Sequence, residues 1–471
     1  MQLLKLLPIV RLVVPLRKCC SRIALNTYAK RKAAFGSLFP DKLLNKKQKT
    51  PHSMYLSKED SAQLIIKSLE SYLSNVKYDT VLEINPGIGL LTRHLLERKD
   101  VFRNFILTES MEYFMTGLLE LCPMYGNSIN LVYGDMVNIS KLSYQDKLDN
   151  GTRVLDLLKY VPQRSYEEDP NMMVIGAVGS YNFFKYLISS LVFQTGLFSF
   201  GRCELYIIVP PPIYIHLTCS KDIGFMIYRS MSKLFQMFFE YRFITAVPRE
   251  HFLPTQSKLR LIKYGKLGRL NSIDPDYLYL VKIVPRRNLY KLCAPTDLPA
   301  LWYFTLQNCI SHRNRIIPNL EKWAPGCGPR LLINTETSEP LYPLYPDEEV
   351  EKLPKYSQPC TTMSCKNFVP EMNIFTEFGD LNSSQMLTIF TQFRSWPEYA
   401  ESTFLASLEN NLMKMETSED GDIADISEEN ISRDIDEIEA LGNSSSCKEE
   451  RNEKKRTKEK RMKYLAGHEK K

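Results

Sequence analysis

Apolar residues in the first half of the chain come in short runs bounded by polar turns. Most runs are followed by a stretch whose apolar positions recur every three to four residues. Short runs suit strands buried on both faces, and the longer period suits helices with one buried stripe. The pattern predicts a helix over 60–73, a strand over 80–84, a helix over 90–98, strands near 105, 131 and 173, a helix over 181–193 and a strand over 203–209. Such alternation predicts a parallel doubly wound sheet, with ligand at the carboxyl ends of its strands. Residues 277–285 read as a late strand whose pairing ends at Pro285. Beyond them the period turns helical over 296–322 and again over 370–413, where Leu387, Ile389, Phe390, Phe393, Tyr399, Phe404, Leu405 and Leu408 mark the apolar positions.

The first predicted strand runs directly into glycines, Thr80-Val-Leu-Glu-Ile-Asn-Pro-Gly-Ile-Gly-Leu-Leu-Thr92. Without a Cβ, Gly87 and Gly89 let the backbone turn tightly and approach a ligand, and amides at the following helix start offer donors. The second strand ends in Glu109, 20 residues beyond Gly89, and the third ends in Gly134-Asp135. A carboxylate there suits ribose hydroxyls. The glycine pair alone fits an ordinary tight turn, and acids that cap helices or satisfy buried amides remain an alternative. Three strand ends delivering ligand-type residues in order favour a nucleotide-type cofactor.

The chain is long enough, at 471 residues with 44% hydrophobic content, for two domains plus tails. Its 11 cysteines include no Cys-x-x-Cys pair and its 6 histidines are isolated, so neither zinc nor a disulfide framework is supported. The net charge of +7 divides unevenly: +11 over residues 1–50, −9 over 411–446 and +6 over 447–471, which leaves about −1 for 51–410. Contact with nucleic acid must therefore come from local patches. One is Lys258, Arg260, Lys263, Lys266 and Arg269, with Arg286 and Arg287 nearby in sequence. As a group these cations suit a phosphate backbone, and their alternation with apolar residues also fits a strand with one solvated face.

Residues 1–36 are rich in Arg and Leu and lack acids, which predicts a mitochondrial presequence; a disordered basic arm is the alternative. Lys5, Arg11, Arg17 and Lys18 interrupt the apolar run before it reaches membrane-spanning length, and no span is predicted elsewhere. The remaining expected divisions are a basic linker over 37–50, a ligand-binding domain over 51–290, a helical domain and tail over 291–413 and a charged, disordered extension over 414–471.

The segment Glu83-Ile-Asn-Pro-Gly-Ile-Gly-Leu-Leu-Thr92, together with Glu109 and Asp135, resembles the S-adenosylmethionine-dependent rRNA adenine N6-dimethyltransferases. More narrowly, the chain resembles their mitochondrial relatives that serve as transcription factor B. The resemblance implies a Rossmann-like α/β methyltransferase fold with a smaller helical C-terminal domain. It also implies S-adenosyl-L-methionine held among Leu56, Glu83, Gly87, Gly89, Glu109 and Asp135, with methionine, ribose and adenine near Gly87, Glu109 and Asp135. Arg313 and Arg315 match paired arginines that follow an aromatic helix in the family, either a phosphate clamp or salt bridges between domains.

Two departures stand out. Asn85 replaces a glycine of the turn, which asparagine tolerates because it visits positive φ. After the fourth strand the family has Asn or Asp, an apolar residue, Pro and an aromatic, whereas this chain reads Gly176-Ala-Val-Gly-Ser-Tyr-Asn. Holding adenine N6 needs polar acceptors and an aromatic face, and residues 176–180 supply neither; Tyr181 and Asn182 substitute only if the loop is displaced. No general base is assigned, because a sulfonium is already an activated leaving group.

Two functions are carried forward. One is a mitochondrial transcription initiation factor in the matrix nucleoid, acting with mitochondrial RNA polymerase on melted promoter DNA beside a DNA-bending HMG-box factor. The other is a working enzyme that dimethylates two adjacent adenines in a hairpin of mitochondrial small-subunit rRNA; both roles can coexist in one chain.

Overall fold

A computed structural model describes residues 38–45, 51–74, 78–98, 101–125, 129–170, 172–224, 227–254, 276–328 and 372–417. The expected presequence, the basic patch at 258–269 and nearly all of the charged extension lie outside these residues. Strands β1 (Tyr78–Ile84), β2 (Phe102–Glu109), β3 (Ile129–Tyr133), β4 (Met172–Ala177), β5 (Glu204–Val209), β6 (Phe239–Pro248) and β7 (Tyr277–Pro285) form one sheet. Its order is β3-β2-β1-β4-β5-β7-β6. The first five pair in parallel, and β7 runs antiparallel to both β5 and β6. The carboxyl ends of β1 to β5 therefore share one edge, with the order reversing between β1 and β4, where ligand sites form in open α/β sheets.

Alternation of side chains across each strand explains the two layers of core. Leu82 and Ile84 of β1, Leu205 and Ile207 of β5, and Val281 and Ile283 of β7 face one buried cluster. Val81 of β1, Tyr206 and Ile208 of β5, and Leu278 and Leu280 of β7 face the other. Helices α1 (Glu59–Leu73) and α2 (Leu90–Leu96) cover the second face through Ile65, Leu69, Leu91 and Leu95. α3 (Glu112–Tyr125), α4 (Ile139–Asp149), α5 (Arg153–Leu158), α6 (Tyr181–Val192), α7 (Pro211–Thr218) and α8 (Ser230–Phe238) complete the α/β part. Each fully buried Leu or Ile stabilises by roughly 1.5–3 kcal/mol.

The predicted strand at 277–285 is found as Tyr277–Pro285, with Pro285 opposite Phe239 at the end of its ladder. β6 was not predicted. It follows α8 without a break, Phe238 closing the helix and Phe239 opening the strand, so no polar turn marks the change of period. It is also an edge strand, mostly half-buried, which weakens the alternation on which strand detection depends.

The helical C-terminal residues α9 (Leu298–Asn308), α10 (Ile316–Glu321), α11 (Ser383–Ser395) and α12 (Thr403–Thr417) join the first core cluster. Phe304 is the centre of an aromatic group with Trp323, Phe378, Phe390, Phe393 and Phe404. Lys233 of α8 is fully buried and donates to the Phe378 and Leu381 carbonyls at 2.7 and 2.6 Å, which fastens this segment to the sheet layer. α11 starts at a reciprocal cap: Asn382 accepts from the Gln385 amide at 2.7 Å and Gln385 accepts from the Asn382 amide at 3.0 Å. Among the described residues, no helix is long and apolar enough to cross a membrane.

Candidate functional site

The glycine turn after β1 is built around positive φ. Asn85, Gly87 and Gly89 have φ of 51, 61 and 72°. A Cβ on Gly87 would lie 3.1 Å from Tyr55 Cδ1, and one on Gly89 would lie 2.9 Å from Leu121 Cδ1, so the turn is packed against the N-terminal segment and α3. Asn85 is buried; its Oδ1 accepts from Ser110 Oγ at 3.1 Å, and its Nδ2 has no hydrogen-bond partner.

Glu109, at the end of β2, meets this turn. Its Oε2 accepts from the Gly87 amide at 2.9 Å, and its Oε1 accepts from the Met111 amide at 2.8 Å and the Tyr55 hydroxyl at 3.4 Å. The Tyr55 hydroxyl also lies 3.1 Å from Ser110 Oγ. Burial pushes the Glu109 carboxyl up to about 7 even though the Met111 and Gly87 amides pull it down. Glu83, one strand away, accepts from Thr92 Oγ1 at 2.7 Å, and burial pushes it up to about 8 against that bond. Asp135, after β3, accepts from the Asn138 amide and side chain at 3.1 and 2.7 Å in the turn that leads to α4. Its charge acts on Tyr55, whose phenol is pushed up mainly by burial and by Glu109.

The sheet thus brings Glu83, Gly87, Gly89, Glu109 and Asp135 to one edge. Leu56 sits beside them in a two-residue ladder in which Tyr55 pairs with Leu253 and Leu56 with Phe252. The residue that sequence reasoning missed is Tyr55, the immediate neighbour of Leu56. A tyrosine in an apolar stretch beside a suspected site residue was the available signal, since a buried hydroxyl demands a partner.

The loop after β4 is covered by the chain itself. All of residues 176–180 are buried. Ser53 bridges Val178, and the Gly179 amide donates to the His52 carbonyl at 2.8 Å. A Cβ on Gly179 would fall 2.0 Å from the Pro51 carbonyl oxygen, so only glycine lets the two backbones meet. Tyr181 opens α6, with its hydroxyl 3.1 Å from His216 Nδ1.

Arg313 and Arg315 lie in the turn before α10, and both are exposed. Neither makes an ion pair with an acid among the described residues, and Arg315 instead sits over the Phe375 ring. Arg286 is buried, donates to the Gln236 carbonyl and pairs with Glu240 at 3.7 Å, so it does not extend an exposed basic track. Arg287 pairs with Asp169 at 3.4 Å. Both line a cavity of about 390 Å3 with Glu167, Glu240, Asn288, Tyr290 and Lys291, at the sheet end opposite the glycine turn. No group of His, Cys, Asp or Glu among the described residues is arranged to hold a metal ion.

A family model of the ribosomal RNA adenine dimethylases matches residues 44–276. The chain is 55% identical to "Dimethyladenosine transferase 2, mitochondrial" of Drosophila melanogaster, over 87% of this chain and 91% of that protein. The chain belongs to this dimethylase family. It is 24% identical to the Bos taurus protein of the same name, over 66% of this chain and 77% of that one. Among solved structures it is similar to the plantazolicin methyltransferase BpumL in complex with SAH, with 12% identity, a TM-score of 0.25 and coverage of 48% of this chain and 84% of that one.

S-adenosylmethionine is the cofactor of the family, and it supplies a methyl group on a sulfonium that leaves without acid catalysis. The residues at the sheet edge fit it. Gly87 and Gly89 carry the turn round at positive φ, Asn85 Nδ2 is a buried donor without a partner among the described residues, and Glu109 is a carboxylate at the end of β2. Gly87 and Gly89 would hold its methionine end, Glu109 its ribose and Asp135 its adenine. The chain has already committed much of Glu109, however. Its Oε1 carries two donors and the residue is 0% exposed, so the Tyr55 hydroxyl must yield before a ribose hydroxyl reaches that oxygen.

Proposed function

We propose that this protein is a mitochondrial transcription initiation factor that uses a methyltransferase scaffold to hold melted promoter DNA for mitochondrial RNA polymerase. The observation that carries this reading is the closed loop at 176–180. In the loop from which a methylating relative offers polar acceptors and an aromatic face, Val178 and Gly179 are packed against the backbone of residues 51–53. A target base reaching this loop would have to displace that segment, and within 176–180 it would meet a single hydroxyl, Ser180, and no aromatic face. Meanwhile Arg313 and Arg315 stay exposed without an acidic partner among the described residues, which suits a phosphate backbone better than an interdomain salt bridge. The name of the Drosophila melanogaster relative supports a mitochondrial location.

Run-off transcription by the cognate polymerase on duplex promoter DNA, without S-adenosylmethionine, tests this function. Protein-dependent transcripts undiminished by Glu109→Ala support it. Absence of transcripts where a pre-melted template works overturns it. The second reading, dimethylation of adjacent adenines in a small-subunit rRNA hairpin, draws on the cofactor-type residues gathered at one edge. Incorporation of labelled methyl groups into that hairpin, abolished by Glu109→Ala, would establish it.

A further inference from the structure

The turn at 373–377 holds a phenylalanine in water. Phe375 is 63% exposed, and its neighbour Ile374 is 51% exposed. A lone exposed apolar side chain needs no explanation, but this one is held in place by a network of hydrogen bonds. The Phe375 amide donates to Asn373 Oδ1 at 2.8 Å, the Asn373 amide to Thr376 Oγ1 at 3.0 Å and the Thr376 amide to the Asn373 carbonyl at 3.1 Å. The turn is fastened in turn to residues 312–316. Ile316 donates to the Thr376 carbonyl at 3.0 Å, Phe378 to the Asn314 carbonyl at 2.7 Å and Gly379 to the His312 carbonyl at 3.1 Å. Gly379 makes that approach possible, because a Cβ there would lie 2.6 Å from the His312 carbonyl oxygen.

This geometry places Arg315 over the ring, its guanidinium 5.1 Å from the centroid, with exposed Arg313 two residues before it. Ile310, 62% exposed, precedes the same turn. Backbone ties place residues 375 and 315 side by side, so the ring and the guanidinium meet without either side chain burying itself. The backbone of the turn is already tied down in the free protein, which removes part of the entropy that binding would otherwise cost.

We propose that Phe375, braced by Arg315, is a stacking platform for an unpaired base of single-stranded nucleic acid, with Arg313 and Arg315 on neighbouring phosphates. Charge complementarity selects this occupant. An unpaired strand offers a π-face and regularly spaced phosphates, matching an aromatic ring beside two guanidinium groups without acidic partners among the described residues. The proposal rests on the reading above that the protein holds melted DNA, and adds the residue that would touch the base.

The test is fluorescence anisotropy of a labelled oligo(dT) with the full chain and with Phe375→Ala, Phe375→Trp and the Arg313→Ala/Arg315→Ala double variant. The side chain is mostly in water, so Phe375→Ala should fold with an unchanged melting temperature. The expected result is about tenfold weaker binding for Phe375→Ala and retained binding for Phe375→Trp. The salt dependence should be unchanged for Phe375→Ala, whereas the arginine variant should lose about 1.4 from the slope, two phosphate contacts at about 0.7 each on a single strand. Oligonucleotides carrying 5-iodouracil should crosslink to the peptide containing residue 375. Equal binding by Phe375→Ala with no crosslink overturns the platform and leaves the single-strand function standing. No binding by the unaltered protein overturns both. Unchanged oligonucleotide binding with lost polymerase association would make this a protein-docking face and also overturns the platform.

Discussion

Glu109 and Arg315 are both charged residues at ligand-type positions, yet the fold treats them in opposite ways. Glu109 is wholly buried and accepts from two amides and a tyrosine, so its hydrogen-bonding capacity is largely spent inside the protein. Arg315 is exposed, makes no ion pair with a described residue and lies over an exposed ring. The first region can take a small ligand only by rearranging, while the second can meet a polyanion as it stands. A buried charge without a ligand must be neutralised by its own protein, whereas a surface cation is already stabilised by water.

The largest test of this contrast is Glu83→Gln. Burial raises Glu83 and Glu109 to about 8 and about 7 from the ordinary carboxylate value of 4.5, so the folded state binds these protons more tightly than the unfolded state. Stability is therefore highest near the ordinary carboxylate range and falls as pH rises from there toward 8. Glutamine can still accept from Thr92 and carries no charge to bury. Denaturant melts at pH 8 should show Glu83→Gln stabilised, on the order of 4 kcal/mol at most at about 1.4 kcal/mol per unit, with a flatter decline between pH 5 and 8. A variant no more stable at pH 8 would mean that Glu83 is solvated and the edge is open.

Next comes Gly179→Ala, which tests whether residues 51–53 truly cover the loop after β4. With the Pro51 carbonyl 2.0 Å from the added Cβ, the backbones must part, and a loss of about 2–4 kcal/mol is expected in the same melts. An unchanged midpoint would show that the covering segment is not seated there. Tyr55→Phe frees Glu109 of one competing donor. Calorimetric titration with S-adenosylmethionine should then give about fivefold tighter binding, the equivalent of one hydrogen bond of about 1 kcal/mol. Weaker binding would instead make the hydroxyl part of the cofactor site. The smallest effect belongs to the exposed region: Arg313→Ala should lower single-strand affinity only a few-fold and reduce the salt slope by about 0.7. A loss independent of salt would sink the phosphate assignment.

Much of the cofactor edge could be read from the chain because its signals are local. Asn85 at φ 51° and the glycines at 61 and 72° occupy the turn that the wording of residues 80–92 implied. Glu109 and Asp135 stand at strand ends because a strand of given length delivers its last residue to a fixed edge. The unpredicted β6 shows where locality fails, since nothing polar separates it from α8 and its partner β7 begins 29 residues after β6 ends at Pro248. The paired arginines could be found, but Phe375 could not, because nothing in the run Met372-Asn-Ile-Phe-Thr-Glu-Phe378 separates the phenylalanine left in water from the one that is buried, or sets its distance to Arg315.

The sequence by itself determined the order of β1 to β5 and β7, the helices α1, α2 and α6 between them, and the residues at the ends of β1, β2 and β3, since each follows from side-chain periodicity and glycine φ within a few neighbours. Only the tertiary structure decided what those ends face. Tyr55 reaches Glu109 across 54 residues of chain, and Pro51 meets Gly179 from a segment still more remote in sequence. Contacts of that range depend on how packed layers bring distant backbones together, and no local pattern encodes which segment will occupy the space in front of a site.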